Sequence, residues 1–185
     1  MDQTGELIAG LADDLDGHFE SLVCRYQDRL YRFALRLSGN PQDAEEVTQD
    51  ALVRAYRALR QYPTERTLAL ALRPWLYQIC LNVFRNRVRR RTLQLVPLDG
   101  DLFSGRERER PDQLVEAAEG SRELADHLAA LPERFRAAVI LRHIEELGIA
   151  EIAAALGQPE GTVKSNIHRG IRLLRQEMER SEVLQ

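Results

Sequence analysis

Lysine is nearly missing from this 185-residue chain: Lys164 is the only one among 26 basic residues, and every other base is arginine. Codon bias accounts for most of that skew, although arginine also suits forked contacts to phosphates and base edges. Cysteine is scarce too. Cys24 and Cys80 lie in apolar helical patterns and match no metal spacing, so a reduced, cytoplasmic setting is expected. No apolar run approaches the roughly 18 to 20 residues that span a bilayer. The nearest candidate, "WLYQICLNVFRNRVRRR", is interrupted by Gln78, Asn82 and Arg85, so no membrane insertion is expected. The N-terminus is acidic where a secretory signal would be basic, which argues against an export signal. Histidines 18, 127, 143 and 168 are scattered, without paired metal spacing or a nucleophile motif. Neither an enzyme nor a cofactor is expected. Strand-like alternation of useful length is also missing, which leaves helices.

What is present is segregated charge. The net charge is only -3, too small for bulk attraction to polyanions. Residues 1–17 carry Asp2, Glu6, Asp13, Asp14 and Asp16 with no base, whereas residues 85–91 carry Arg85, Arg87, Arg89, Arg90 and Arg91 with no acid. A near-neutral chain arranged in this way can still present a local cationic face.

The apolar periodicity predicts an all-α protein of two small helical domains joined by a flexible linker. Phe19, Leu22, Val23, Tyr26, Leu30, Phe33, Ala34 and Leu37 follow helical spacing. "SGNP" ends that helix, with Asn40 placed to cap the next one and Pro41 in its first turn. Pro63 breaks the second helix and Pro74 restarts a third, on which Trp75, Ile79 and Val83 recur every four residues as a core stripe. Tyr77 and Phe84 lie at other angles, where burial and exposure are both open. The expected organisation is an acidic extension over 1–17, a first domain over 18–92, a linker over 93–120 and a second domain over 121–181. Pro97, Gly100, Gly105 and Pro111 among charges mark the linker. A flexible chain of that length has an r.m.s. span of roughly 30 Å and stretches to about 90 Å.

In the second block a short helix, a glycine-containing turn and a longer basic helix form the helix-turn-helix pattern. Ile152, Ala153, Leu156, Val163 and Ile167 would lock the two helices, Gly157 suits a left-handed helix end, and Thr162 is a candidate N-cap. The exposed set on the second helix is then Lys164, Ser165, Asn166, His168, Arg169 and Arg172. Such donors can reach phosphates or base edges in a major groove.

Three stretches in order resemble one family. "GNPQDAEEVTQDALVRAYRAL", "WLYQICLNVFRNRVRRR" and "LPERFRAAVILRHIEELGIAEIAAALGQPEGTVKSNIHRGIRLLR" are similar to regions 2 and 4 of extracytoplasmic-function sigma factors of the sigma-70 family, over about 140 of the 185 residues. The resemblance implies an alternative bacterial sigma factor that binds core RNA polymerase, both the β′ clamp helices and the β subunit, and promoter DNA. An anti-sigma factor is a further implied partner. Asp43, Glu45, Glu46, Gln49 and Asp50 would then face polymerase. The loop from Tyr62 to Arg73, with Leu72 and Arg73 at its end, would capture a -10 base. Tyr77, Asn82, Arg85, Arg87, Arg89 and Arg90 would handle the opened -10 strand, and Thr162 with the exposed set above would read the -35 element. Three positions depart from the family pattern. Asn166 stands where arginine is usual, Gly170 where alanine is usual, and Gly148 where a serine cap is typical. Two other readings remain: a helix-turn-helix regulator that acts without polymerase, and a sigma mimic that sequesters an anti-sigma factor. Retention of Asn82, the arginine run and Lys164 argues against the mimic. Promoter elements about two helical turns, or roughly 70 Å, apart would require an extended linker held open by polymerase.

Overall fold

The computed structural model describes residues 3–94 and 119–183. Among them there are nine helices and no strand: α1 (Gln3–Asp13), α2 (Leu15–Ser38), α3 (Pro41–Leu59), α4 (Thr64–Leu68), α5 (Leu72–Gln94), α6 (Glu119–Ala130), α7 (Glu133–His143), α8 (Ile149–Leu156) and α9 (Glu160–Val183). The all-α expectation holds. Most of the stretch expected to be a linker lies outside the described residues; its edges at 93–94 and 119–120 are helical.

Local chemistry fixes the ends. The Asp14 carboxylate accepts from the Gly17 N–H at 3.0 Å and caps α2. Gly39, at φ 67°, closes α2 in the left-handed region and donates its N–H to the Leu35 carbonyl at 2.8 Å, a role that glycine fills without a Cβ penalty. Asn40 then caps α3 by accepting from the Asp43 N–H at 3.1 Å, with Pro41 in the first turn. Leu22, Tyr26, Leu30, Phe33, Ala34 and Leu37 make the buried face of α2, which packs along α3. The buried face of α3 combines small side chains, Ala44, Ala51 and Ala55, with Val47 and Leu59. Thr48 is buried among them and satisfies its hydroxyl by donating to the Ala44 carbonyl at 2.7 Å.

The acidic N-terminal stretch is more than an extension. Leu7 and Leu11, spaced by four, are buried, and α1 packs on α2 and α4. Burying a leucine contributes about 2 kcal/mol, which helps to hold this short helix, and Ile8 adds to the same contact. The segment after Pro63 also holds a short helix, α4, where a loop was expected.

The C-terminal helices pack on the N-terminal ones: α6 and α7 lie against α2, and α8 lies against α5. α7 is buried around its circumference through Phe135, Ala137, Ala138, Val139, Ile140 and Leu141, so it serves as the core of this half. α9 crosses α7 at Gly170, which is buried. A Cβ at that position would meet Val139 Cγ2 at 2.5 Å and Phe135 Cβ and O at 3.3 Å. The departure from alanine therefore has a steric cause. Gly170→Ala would gain about 1 kcal/mol of helix propensity, but overpacking against a stiff β-branched neighbour costs about 1–3 kcal/mol. The expected outcome is a net loss of stability in chemical denaturation, recovered when Val139→Ala is added.

Candidate nucleic-acid interface

The helix-turn-helix is set by its turn. Gly157, at φ 62°, ends α8 in the left-handed region, and the Gln158 N–H donates to the Ala153 carbonyl at 3.0 Å. Glu151 accepts from the Gly148 N–H at 2.8 Å, which retains half of a capping box where a serine hydroxyl would have supplied the other half. Ile152, Leu156 and Val163 are buried between the helices, with Ala153 and Ile167 packed against them. α9 starts at Glu160, and the Val163 N–H donates to the Pro159 carbonyl at 3.1 Å. Thr162 therefore lies inside the first turn, and its expected role as N-cap is corrected.

Thr162, Lys164, Ser165, His168, Arg169 and Arg172 are exposed on α9. Lys164 and His168 border an open concavity of about 290 Å³ with an isoleucine floor of Ile149, Ile167 and Ile171 and two further donors, Arg142 and His143. Asn166 does not share this surface. It is 7% exposed, and its Nδ2 donates to Gln158 Oε1 at 3.0 Å. Its expected placement among the exposed residues is corrected: a short amide at that helical angle reaches back to the turn, whereas a longer arginine would extend outward.

On α5 the expected strip divides. Asn82, Arg89 and Arg90 are exposed. Leu72 and Tyr77 are 2% and 1% exposed, so their expected placement on a DNA-facing surface is corrected for this arrangement. The cause is that the first half of α5 is covered on two sides, by α2 and α3 and by α8. The Tyr77 ring meets Phe33 edge to face at 5.1 Å, and its hydroxyl donates to the Glu145 carboxylate. Burial first, and then that hydrogen bond, raises the Tyr77 pKa far above the usual tyrosine range. Of the expected core stripe, Val83 is buried, while Trp75 and Ile79 are partly buried against the core. Phe84 is also half-buried. Burial pushes the Cys80 thiol up to about 12, whereas Cys24, on α2 but off its buried face, is exposed.

Four arginines of α5 are already engaged. Arg73 donates to the Glu145 backbone carbonyl, and Arg85 pairs with Glu133 at 3.1 Å. Arg87 donates to Glu46, and Arg91 donates to Asp43 Oδ2 at 2.6 Å. The hydrogen bond that Arg91 donates to Asp43 leads the upward shift of the Arg91 pKa. Of the acidic α3 set, Asp43 and Glu46 therefore serve the arginine end of α5, whereas Glu45, Gln49 and Asp50 are exposed. In the segment before α5, Arg66 of α4 stacks over the Tyr62 ring at 3.7 Å, and Leu68 at the end of α4 is 53% exposed. Glu133 and Glu145 belong to the site by geometry, and their sequence patterns carry no signal of it.

Residues 22–94 match the family model for sigma-70 region 2, and residues 121–174 match that for sigma-70 region 4. The ECF RNA polymerase sigma factor SigW of Bacillus subtilis (strain 168) is 30% identical, covering 86% of this chain and 88% of that protein. The chain belongs to the extracytoplasmic-function sigma factors. SigE of Mycolicibacterium smegmatis is 39% identical over 85% of this chain, which spans 60% of that relative's length. Among solved structures, the sigma factor RpoE from Bartonella quintana, in complex with the anti-sigma factor NepR, has a TM-score of 0.70 at 23% identity and covers 87% of this chain and 96% of that one. CnrH in complex with the cytosolic domain of CnrY has a TM-score of 0.68 at 24% identity, with 95% and 96% covered. These two share the fold. Among the described residues, no helix is long and apolar enough to cross a membrane.

The buried amide pair at the turn gives a direct test. Asn166→Ala leaves Gln158 without its partner and should lower unfolding stability by about 1 kcal/mol. Lys164→Ala, on the exposed face, should stay within about 0.5 kcal/mol of the parent. Denaturant midpoints of the two variants measure the contrast.

Proposed function

We propose that this sigma factor reads the -35 element with α9 and opens and holds the -10 element with α5 and the segment from Tyr62 to Arg73 that leads into it. The assigned regions are region 2 over 18–92 and region 4 over 121–181. The observation that carries this reading is that one chain joins a helix-turn-helix with six exposed polar residues on α9 to a second helix on which exposed Asn82 leads into exposed Arg89 and Arg90. An amide can read the Watson–Crick edge of an extruded base, and guanidinium groups follow the backbone. Glu45, Gln49 and Asp50 supply the exposed part of the polymerase-docking face, and Asp43 and Glu46 join it when their arginines are drawn away. Complementary charge of this kind sets orientation and encounter rate.

The protein acts in the cytoplasm with core RNA polymerase and has no catalytic role of its own; its relatives are named as sigma factors. An anti-sigma factor is the further partner we assign, since a sigma factor of the same fold was crystallised with one. The packed arrangement of the two halves belongs to the free chain, and core polymerase would hold them apart on the promoter.

Reconstitution with core polymerase and a genome-derived template library tests the reading. Initiation from a defined promoter set is expected, and its absence would overturn it. Tight duplex binding by the free chain would favour the polymerase-independent regulator instead. Within the reconstituted holoenzyme, Asn82→Ala should change the preferred -10 sequence. Arg89→Ala should weaken binding about equally across sequences and reduce the salt slope by about 1.

A further inference from the structure

Glu145 is a buried acid that none of the roles above employs. It is 8% exposed and sits just past the end of α7, ahead of Glu146, whose φ of 56° turns the chain. A carboxylate withdrawn from water is costly unless donors surround it. Its donors come from the other half of the molecule. The Tyr77 hydroxyl donates to the side chain, and Arg73 donates to the backbone carbonyl of the same residue. Arg73 Nε is buried beside them with no hydrogen-bond partner, so the pair holds a donor in reserve. A second acid from the C-terminal half repeats the pattern at the rim, where Glu133 accepts from Arg85 Nε at 3.2 Å and Nη2 at 3.1 Å.

We infer that Tyr77 and Arg73 form an anion-binding site that is filled by Glu145 while the two halves are packed together, the hydroxyl on its carboxylate and the guanidinium on its backbone carbonyl, and by a backbone phosphate of the opened strand once they part. This rests on the strand-opening role proposed for α5. Carboxylate and phosphodiester present the same anionic oxygens to hydroxyl and guanidinium donors. The hydroxyl faces a residue of the C-terminal half, so separation of the halves uncovers it. One site cannot hold both anions, and closure therefore competes with strand binding. Glu145 acts as an internal competitor, and Glu133 makes the same substitution at Arg85.

The test uses the full chain and, as probe, a labelled single-stranded oligonucleotide carrying the non-template -10 sequence found by reconstitution. Glu145→Gln keeps the size of the side chain and removes its charge. It should expand the free chain in small-angle scattering and raise oligonucleotide affinity about tenfold, the size of one charge-assisted hydrogen bond. Tyr77→Phe keeps the ring against Phe33. It should expand the chain similarly but gain less affinity, because the site has lost a donor. With core polymerase present, Glu145→Gln should bind the strand as the parent does, and Tyr77→Phe and Arg73→Ala should bind it more weakly. Circular dichroism confirms that each variant is folded. If folded Glu145→Gln matches the parent in both size and strand affinity, the anion site is wrong. That result alongside normal promoter initiation would remove only this inference, whereas failure of the parent chain to initiate with core polymerase would remove the reading beneath it.

Discussion

A helix that is apolar around most of its circumference has to be covered on more than one side, and the first half of α5 is such a helix. Leu72, Leu76, Tyr77, Cys80, Leu81 and Val83 are all buried, and they point in too many directions for one neighbour to cover. α2 and α3 take one side and α8 takes another. The position of the C-terminal half follows from this requirement, and so does the location of the polar work. Only Asn82 and the arginine-bearing end of the helix remain for a ligand that approaches the packed molecule.

Charges that are separated along the sequence are partly neutralised in space. Arg91 and Arg87 return to Asp43 and Glu46 on α3, so the face assigned to polymerase and the strip assigned to DNA share ion pairs. Exposed pairs of this kind contribute about 0–1 kcal/mol and exchange partners readily. Arg91 is half-exposed, at 48%, and Asp43 less so, at 17%. A cation from another molecule that claims Asp43 must therefore displace a guanidinium that is then free for phosphate. Two sets of residues that look independent in the sequence share their ion pairs at Asp43 and Glu46.

What could be read from the sequence was local. Gly39, Asn40, Pro41 and Gly157 act within one or two turns of their own position, and each does what its chemistry indicates. The helical spacing on α2 and α3 was equally legible, because core faces repeat every three or four residues whatever they pack against. Long-range contacts were not legible. Leu7 and Leu11 sit in a stretch where every charge is acidic, and a single pair spaced by four is too short a pattern to mark a buried face. The expected core stripe on α5 found Val83 but missed Tyr77, since nothing in the stretch shows that a second layer will arrive from residues 145–156. Asn166 read as a donor on an exposed face because its partner, Gln158, is set by the turn rather than by helical spacing. The exposed residues on α9 followed from that same spacing; the burial of Gly170 depended on the crossing with α7.

The contacts that join the halves differ in kind, and the difference bears on how they separate. Arg85–Glu133 is about one-third exposed on both sides, so water takes over its hydrogen bonds at little cost. Tyr77–Glu145 is buried, but a buried polar pair returns roughly as much hydration on opening as it loses in mutual attraction. Contact of α5 with α8, and of α2 with α6 and α7, therefore supplies most of the attraction between the halves, while the polar pairs fix the register in which they meet and shift the closed–open balance by about one hydrogen bond. Such a joint specifies one closed arrangement without making it hard to leave. A ligand that supplies anionic oxygen to the same donors, or a surface that covers the same apolar strip, need only match what closure already provides.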